Sequence, residues 1–335
     1  MKNNVTLKDI AEKIGVSSVT VSKAINNRGG VSEELKKKIK KIANDLGYQN
    51  NTVGKSTEEG LSYNIGVIIP ERFIGDDQSP FYLKFHQYIT RKLEEYNYYS
   101  ILQILSNEDE QYLNLPRTYV ENKVDGFIIL GQIKKSYIEL LHSEGIPKVF
   151  LDFYTDLSQV DTVVTDNFYG MYEMTNFLIQ NGHKKIAFIG NIHTTSSIQD
   201  RFLGYYKSLL EHNIPLDRKL IIPDRDEEGK YIELDVPNPL PTAFVCNCDQ
   251  IGFNFINKLS MIGYKVPEDC SVVGFDNDVY STISKPPMTT TKVNIEDMSN
   301  AAVELIIDKL MKNGKSSVRK LIKGTIIHRE SVKKI

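Results

Sequence analysis

Val5-Thr-Leu-Lys-Asp-Ile-Ala-Glu-Lys-Ile-Gly-Val-Ser-Ser-Val-Thr-Val-Ser-Lys-Ala-Ile-Asn-Asn27 holds two short helical patterns on either side of a Gly15-Val16-Ser17 turn. Thr6 can cap the first helix with Asp9 three residues on, and Leu7, Ile10, Ala11 and Ile14 then form one apolar stripe at helical spacing. Gly15 permits a sharp turn, Val16 plugs the corner, and Ser17 caps a second helix that turns Val21, Ala24 and Ile25 inward. The opposite face carries Ser18, Val19, Ser22, Lys23 and Asn26. These are small or hydrogen-bonding groups suited to base edges, thymine methyls and phosphates in a major groove. A third helix capped by Ser32 follows, with Leu35, Ile39, Ile42, Ala43 and Leu46 inward, five lysines between Lys36 and Lys41 on other faces, and Gly47 as a stop. The pattern is that of a DNA reader.

Charge supports that reading over a small bundle with a solvated lysine face. Residues 1–50 hold ten basic and five acidic side chains, a formal +5, which leaves −7 on the remainder of a chain whose total is −2. A basic head on an acidic body is expected when only one end meets phosphate.

At 335 residues, 41% hydrophobic and 25% charged, the chain is long enough for two or three domains with full cores. The N-terminus shows no apolar export segment, and no run approaches eighteen uninterrupted apolar residues, so a cytoplasmic protein without a membrane partner is expected. Cys246, Cys248 and Cys270 form no framework and read as reduced core or pocket-wall thiols. The six histidines are scattered, so neither a metal site nor a cofactor is expected. His-Glu-x-x-His, a phosphate loop and a Gly-x-Ser-x-Gly elbow are all missing, which argues against an enzyme.

Residues 49–62 are polar, with Gly54 and Gly60, and read as a linker. Beyond it, short β-rich runs alternate with helix-length segments: Ile65–Ile69, Ser100–Leu105, Gly126–Leu130 and Lys148–Asp152. A second series runs through Ile186–Ile189, Ala243–Cys246 and Val272–Phe275, with helices near Gly170–Gln180, Arg201–His212 and Gln250–Met261. Met288–Val293 leads into a helix containing Met298, Ala302 and Leu305, and a final strand is expected at Lys323–His328. Two doubly wound α/β lobes facing each other create a cleft, and ligands bind outside the carboxyl ends of such strands. Asp152, Asp249 and Asp276 occupy strand ends, and Arg201, opening its helix, adds a planar donor fork.

These residues closely resemble the lactose-repressor (LacI/GalR-type) family from Thr6 to about Glu330. The likeness is carried by Thr-Leu-Lys-Asp-Ile-Ala at 6–11, Gly-Val-Ser-x-x-Thr-Val-Ser at 15–22, Leu-Gly-Tyr at 46–48 and Asp166-Asn167. It continues in Gly182-His-Lys-Lys-Ile-Ala-Phe-Ile-Gly190, Asp200-Arg201 with Gly204, Val266-Pro-Glu-Asp269, Ser271-Val-Val-Gly-Phe-Asp276 and Pro286-Pro-Met-Thr-Thr290.

The resemblance implies an all-α helix-turn-helix head (1–49), a hinge linker (50–62) and a two-lobed, periplasmic-binding-protein-like α/β body. Residues 63–161 with 291–330 would form one lobe and 162–290 the other, with the last helix and strand rejoining the first lobe. It further implies a homodimer on a near-palindromic double-stranded operator, controlled by a small effector, most often a sugar, whose binding rotates the lobes. DNA contacts are implied for Thr6, Ser17, Ser18, Val19, Thr20, Ser22, Lys23 and Asn26, and for Asn51, Val53 and Thr57 of the linker. Effector contacts are implied for Phe81, Asp152, Arg201 and Asp276, with Cys248 and Asp249 beside them.

Three departures qualify this. Gly54 and Thr57 fall where relatives carry a hinge alanine and a leucine wedge, which argues against a strong operator kink. Lys23 stands where arginine or another polar residue is common. Cys248 and Leu130 replace polar pocket residues, which leaves open a body that docks a protein partner, such as a phosphorylated carrier protein, in place of a small ligand.

Overall fold

A computed structural model describes residues 5–25, 30–46, 61–74, 80–157, 159–227, 229–312 and 317–335. The chain divides into two units, Met1–Ser62 and Tyr63–Ile335.

In the first unit α1 (Leu7–Ile14) begins at a reciprocal cap, in which the Thr6 hydroxyl accepts the Asp9 amide and the Asp9 carboxylate accepts the Thr6 amide at 2.7 Å. Gly15 ends it with φ of 78°, a left-handed conformation that favours glycine. The Ser17 hydroxyl then accepts the Thr20 amide at 3.1 Å and opens α2 (Ser18–Ile25). Ser32 does the same for Leu35 at the start of α3 (Glu33–Asp45). Ile10, Val21, Ala24 and Ile39 are fully buried where the three helices meet. Each of the larger three contributes roughly 1.5–3 kcal/mol. In so small a core, a cap contributing about 1 kcal/mol is a sizeable fraction of the stability.

The second unit opens with β1 (Asn64–Pro70), α4 (Phe81–Glu95) and β2 (Tyr99–Leu105). Next come α5 (Asn107–Tyr112), α6 (Arg117–Val120), β3 (Gly126–Leu130), α7 (Lys135–Ser143), β4 (Lys148–Leu151) and β5 (Asp161–Thr165). The chain then crosses into α8 (Asn167–Gln180), β6 (Ile186–Ile189), α9 (Ser196–Glu211), β7 (Ile221–Ile222), β8 (Ala243–Cys246) and α10 (Asp249–Met261). It continues through β9 (Ser271–Asp276), α11 (Val279–Ile283), β10 (Thr289–Lys292), α12 (Ile295–Lys312), β11 (Arg319–Ile322) and β12 (Thr325–Ile327).

Two six-stranded sheets result, ordered β11-β5-β4-β3-β1-β2 and β12-β10-β9-β8-β6-β7. All pairings are parallel except β10 with β12. The inner strands β1, β3, β4, β6 and β8 read as nearly continuous apolar runs because both faces are covered. Alternate residues of β3 show this: Ile128 and Leu130 join the core under α4 and α12, while Phe127 and Ile129 join Tyr137, Ile138 and Leu141 of α7.

The lobe limits differ from expectation in two places. The first crossing falls after Thr165, not near residue 162, because β5 completes the first sheet between β4 and β11. The second concerns the final strand, which sits in the second sheet as β12, while the strand rejoining the first sheet is β11. Hydrogen bonding explains the placement of the tail. Ser331 Oγ accepts the Thr289 amide at 2.9 Å and donates to the Val272 carbonyl at 2.5 Å, and the Ile335 amide donates to the Asn181 carbonyl at 2.9 Å. Three passages therefore join the lobes.

Candidate DNA-reading face and interlobe site

On α2 the side toward α1 and α3 is closed, and Ser18, Val19 and Lys23 stand exposed on the other, Val19 at 64%. Ser22 is half-buried beside them. An apolar residue so exposed on a short helix has no use in the head's own core. Ser17 and Thr20 are partly engaged in the cap, with their hydroxyls 2.9 Å apart, and Thr6 is engaged with Asp9. On α3, Lys37, Lys38, Lys40 and Lys41 are exposed, whereas Lys36 folds back to Glu33 at 2.7 Å. Of the expected DNA contacts, Asn26, Asn51, Val53 and Thr57 lie outside the described residues, as do Gly47, Gly54 and Tyr48.

Between the lobes of the body is a cavity of about 110 Å³. That is several times the roughly 15 Å³ that a single buried water needs. Its wall comes from the carboxyl ends of strands and the turns after them, where open parallel sheets place their ligands. Asp152 directly follows β4, Asp276 ends β9, Cys248 follows β8, and Phe81 and Tyr82 open α4. Asp152 is held at φ 69° and Asp276 at φ 109°, conformations rare for residues with a side chain, which turn both carboxyls out of their strand directions.

Arg201 sits in the second turn of α9, not at its start, because Thr195 caps the helix by accepting the Ile198 amide at 3.2 Å. Its guanidinium lies 3.9 Å over the Phe275 ring. Nε donates to Asn167 Oδ1 at 2.8 Å, Nη1 to the Asn247 carbonyl at 2.6 Å and Nη2 to Asp276 Oδ1 at 3.2 Å. The expected donor fork is thus largely engaged by the protein, and its charge organises the carboxylates around it.

Asp152 Oδ2 accepts the Tyr82 hydroxyl at 3.0 Å, while Oδ1 is buried with no hydrogen-bond partner among the described residues. Burial pushes the Asp152 carboxyl up to about 6, against the pull of Arg201, and the Asp276 carboxyl up to about 7. Burial also raises the Cys248 thiol to about 12, so it stays protonated and unreactive at neutral pH.

Phe81, Asp152, Arg201, Cys248 and Asp276 all line the cavity, but Asp249 does not. It lies behind the wall, fully buried, accepting the Asp278 amide at 2.7 Å and the Thr290 hydroxyl at 2.6 Å. Its role is to fix the β9–α11 turn. Leu130 is likewise in the sheet core and outside the wall.

Sequence reading missed Tyr82, Gln132, Arg225, Tyr231 and Asp278. Gln132 Oε1 spans the lobes to accept the Ser196 amide at 2.9 Å, and Lys84 reaches Asp278 across the cleft at 3.8 Å. Tyr82 had a signal: it stands beside Phe81 at the mouth of the first crossover helix. Arg225 and Tyr231 belong to an irregular segment after β7 that has no periodicity, and only the acid-base neighbours Asp224-Arg225 hinted at it.

No group of three or more His, Cys, Asp or Glu side chains suited to a metal occurs among the described residues, and no helix there is long and apolar enough to cross a membrane.

A basic helix-turn-helix unit and a two-sheet α/β unit with a polar interlobe cavity define a class of bacterial DNA-binding regulators. Comparison with known proteins agrees. Residues 6–51 match the model for bacterial regulatory proteins of the lacI family, and residues 175–332 match the periplasmic binding protein-like domain. The chain is 32% identical to the HTH-type transcriptional regulator RegA of Clostridium saccharobutylicum, covering 97% of this chain and 98% of that one. It is 30% identical to the "Probable HTH-type transcriptional repressor ExuR" of Bacillus subtilis (strain 168), covering 99% of each. A LacI family transcriptional regulator from Enterococcus faecium, solved with bound ribose, aligns at TM-score 0.68 and 25% identity over 81% of this chain and 99% of that one.

The chain belongs to the lacI family of bacterial regulatory proteins. It is a DNA-binding transcriptional regulator and not an enzyme.

Proposed function

We propose that this regulator is a repressor that occupies a near-palindromic operator as a homodimer and is controlled by a sugar bound between its lobes. The observation that carries the effector reading is Asp152 Oδ1, a carboxylate oxygen buried in the cavity wall with no partner among the described residues. An unpaired buried acceptor of this kind costs about 1–3 kcal/mol, which a ligand hydroxyl would offset. Asp276 and Arg201 beside it supply the further acceptor and donor that a polyol needs. The ribose bound by the Enterococcus faecium relative supports the same ligand class.

The DNA-contact assignments to Ser18, Val19, Ser22 and Lys23 rest on the outward face of α2, and those to Thr6, Ser17 and Thr20 on the helix ends beside it. The homodimer reading draws on apolar side chains exposed on both lobes, among them Ile104 at 51% and Ile283 at 50%. The protein-docking alternative loses one of its two supports, because Leu130 is core and not wall.

Gel-shift titration of promoter fragments, including the region beside the regulator's own gene, tests the reading with and without candidate sugars. Specific retardation altered by one sugar, with calorimetric binding abolished in Asp276→Ala, is the expected result. A regulator that retards its operator but binds no small ligand in calorimetry contradicts the effector reading.

A further inference from the structure

The cavity wall also carries Arg225. Asp224 beneath it is fully buried and held by the Asn191 amide at 2.8 Å and Asn247 Nδ2 at 2.9 Å. The Arg225 Nε and Nη2 both donate to Asp224 Oδ2, at 2.9 and 2.7 Å, and the guanidinium stacks on Tyr231 with 4.9 Å to the ring centroid. The head group is therefore fixed in one plane from behind and from one side. Nη2 makes one further, long contact, 3.4 Å to Asn247 Oδ1, and Nη1 has no hydrogen-bond partner among the described residues. Arg225 lines the cavity while Asp224 does not, so a ligand there meets the cation and not its carboxylate partner.

We propose that the effector is a sugar acid, its hydroxyls at Asp152 and Asp276 and its carboxylate on the Nη1 edge of Arg225. The proposal rests on the sugar reading of the cavity and specifies the ligand class within it. Nη1 offers unused in-plane donors to a carboxylate oxygen, and such charge-assisted contacts are about twice as strong as neutral ones. A neutral sugar would offer the Arg225 Nη1 a hydroxyl at most. A phosphate is the weaker match, because its second charge would sit in a cavity whose wall also carries Asp152, Asp276 and Asp278.

Calorimetry on the unmodified full-length chain tests this with matched sets: glucuronate and galacturonate, their uncharged methyl esters, the parent neutral sugars and their 6-phosphates. The acid of one set is expected to bind at least tenfold more tightly than its ester and its neutral parent, and more tightly than the phosphate. Asp224→Asn/Arg225→Gln, a pair chosen so that no buried carboxylate is orphaned, should reduce acid and ester to equal affinity. Esters or neutral sugars binding as tightly as acids would overturn the carboxylate assignment while leaving the sugar reading intact. A preference for phosphates, or an acid preference that survives the double substitution, would also overturn it. Binding of none of these compounds would defeat both readings together.

Discussion

Replacing Asp152 by asparagine should stabilise the ligand-free body at high pH while disabling its binding site. The Asp152 carboxyl stands at about 6 in the folded chain, raised by burial, against about 3.9 in an unfolded one. Between those values the folded state holds the proton more tightly, so stability falls as pH rises through the window. Above the folded value the full loss is present, about 3 kcal/mol. At pH 4.5 only about 1 kcal/mol of it has accrued, so aspartate and asparagine proteins should diverge by about 2 kcal/mol between pH 4.5 and pH 8.

Asparagine is close in shape, tolerates the φ of 69° at this position and can still accept from Tyr82. Any cost of its own unpaired amide is independent of pH and cancels from the comparison. In a body of this size 1 kcal/mol corresponds to roughly 2 °C in Tm. Scanning calorimetry should therefore show the Asp152→Asn midpoint gaining about 4 °C on the parent protein between the two pH values. The same variant should lose at least tenfold in effector affinity. A midpoint difference that does not change with pH, or that moves against the variant at pH 8, would refute the reading of Asp152 as a strained, ligand-awaiting carboxylate.

Other positions give sharp outcomes. Thr6→Ala removes the hydroxyl half of the reciprocal cap, leaving the backbone amide of residue 6 on the Asp9 carboxylate, and should cost the head about 1 kcal/mol, seen as a lower midpoint for its helical circular-dichroism transition with the body's transition unmoved. Lys23→Ala should weaken operator binding in gel shifts. Loss confined to one base position per half-site marks a base contact, and equal loss on every sequence with a salt slope smaller by about one marks a phosphate contact. Gly204→Ala puts a methyl group against the Phe168 carbonyl where α9 meets α8, with no flexible side chain to yield. It should destabilise the body by about 1–3 kcal/mol, and effector affinity should fall as well, because α9 carries Arg201.

The head was legible almost residue by residue, because its signals are local: a cap, a left-handed glycine and a helical stripe all lie within a few residues of what they control. Most strands of the body were legible as apolar runs for the same reason, whereas β5, β7 and β11, which are short or carry charged and hydroxyl side chains, were not. Which sheet a strand joins was not legible either. Asp161–Thr165 and Thr325–Ile327 are short, and their place is set by partners such as β11 and β10 that lie far away in sequence. The site followed the same division. Asp152, Asp276 and Arg201 announce themselves at strand ends and in family motifs, whereas Arg225 and Tyr231 hang on a loop whose shape depends on the buried Asp224. Asp249 misled because a carboxylate after a strand looks alike whether it faces a ligand or a neighbouring turn. Only the Thr290 hydroxyl and the Asp278 amide decide between the two.

The antiparallel return of β12 has a practical corollary. Because the last strand doubles back onto the second sheet, the body starts on one lobe at Tyr63 and finishes on the other at Ile335, whose amide is tied to Asn181. A donor dye placed near the beginning of β1 and an acceptor at the carboxyl terminus would ride on opposite jaws. Their energy transfer would then report any change in the spacing of the lobes without a label in the cavity.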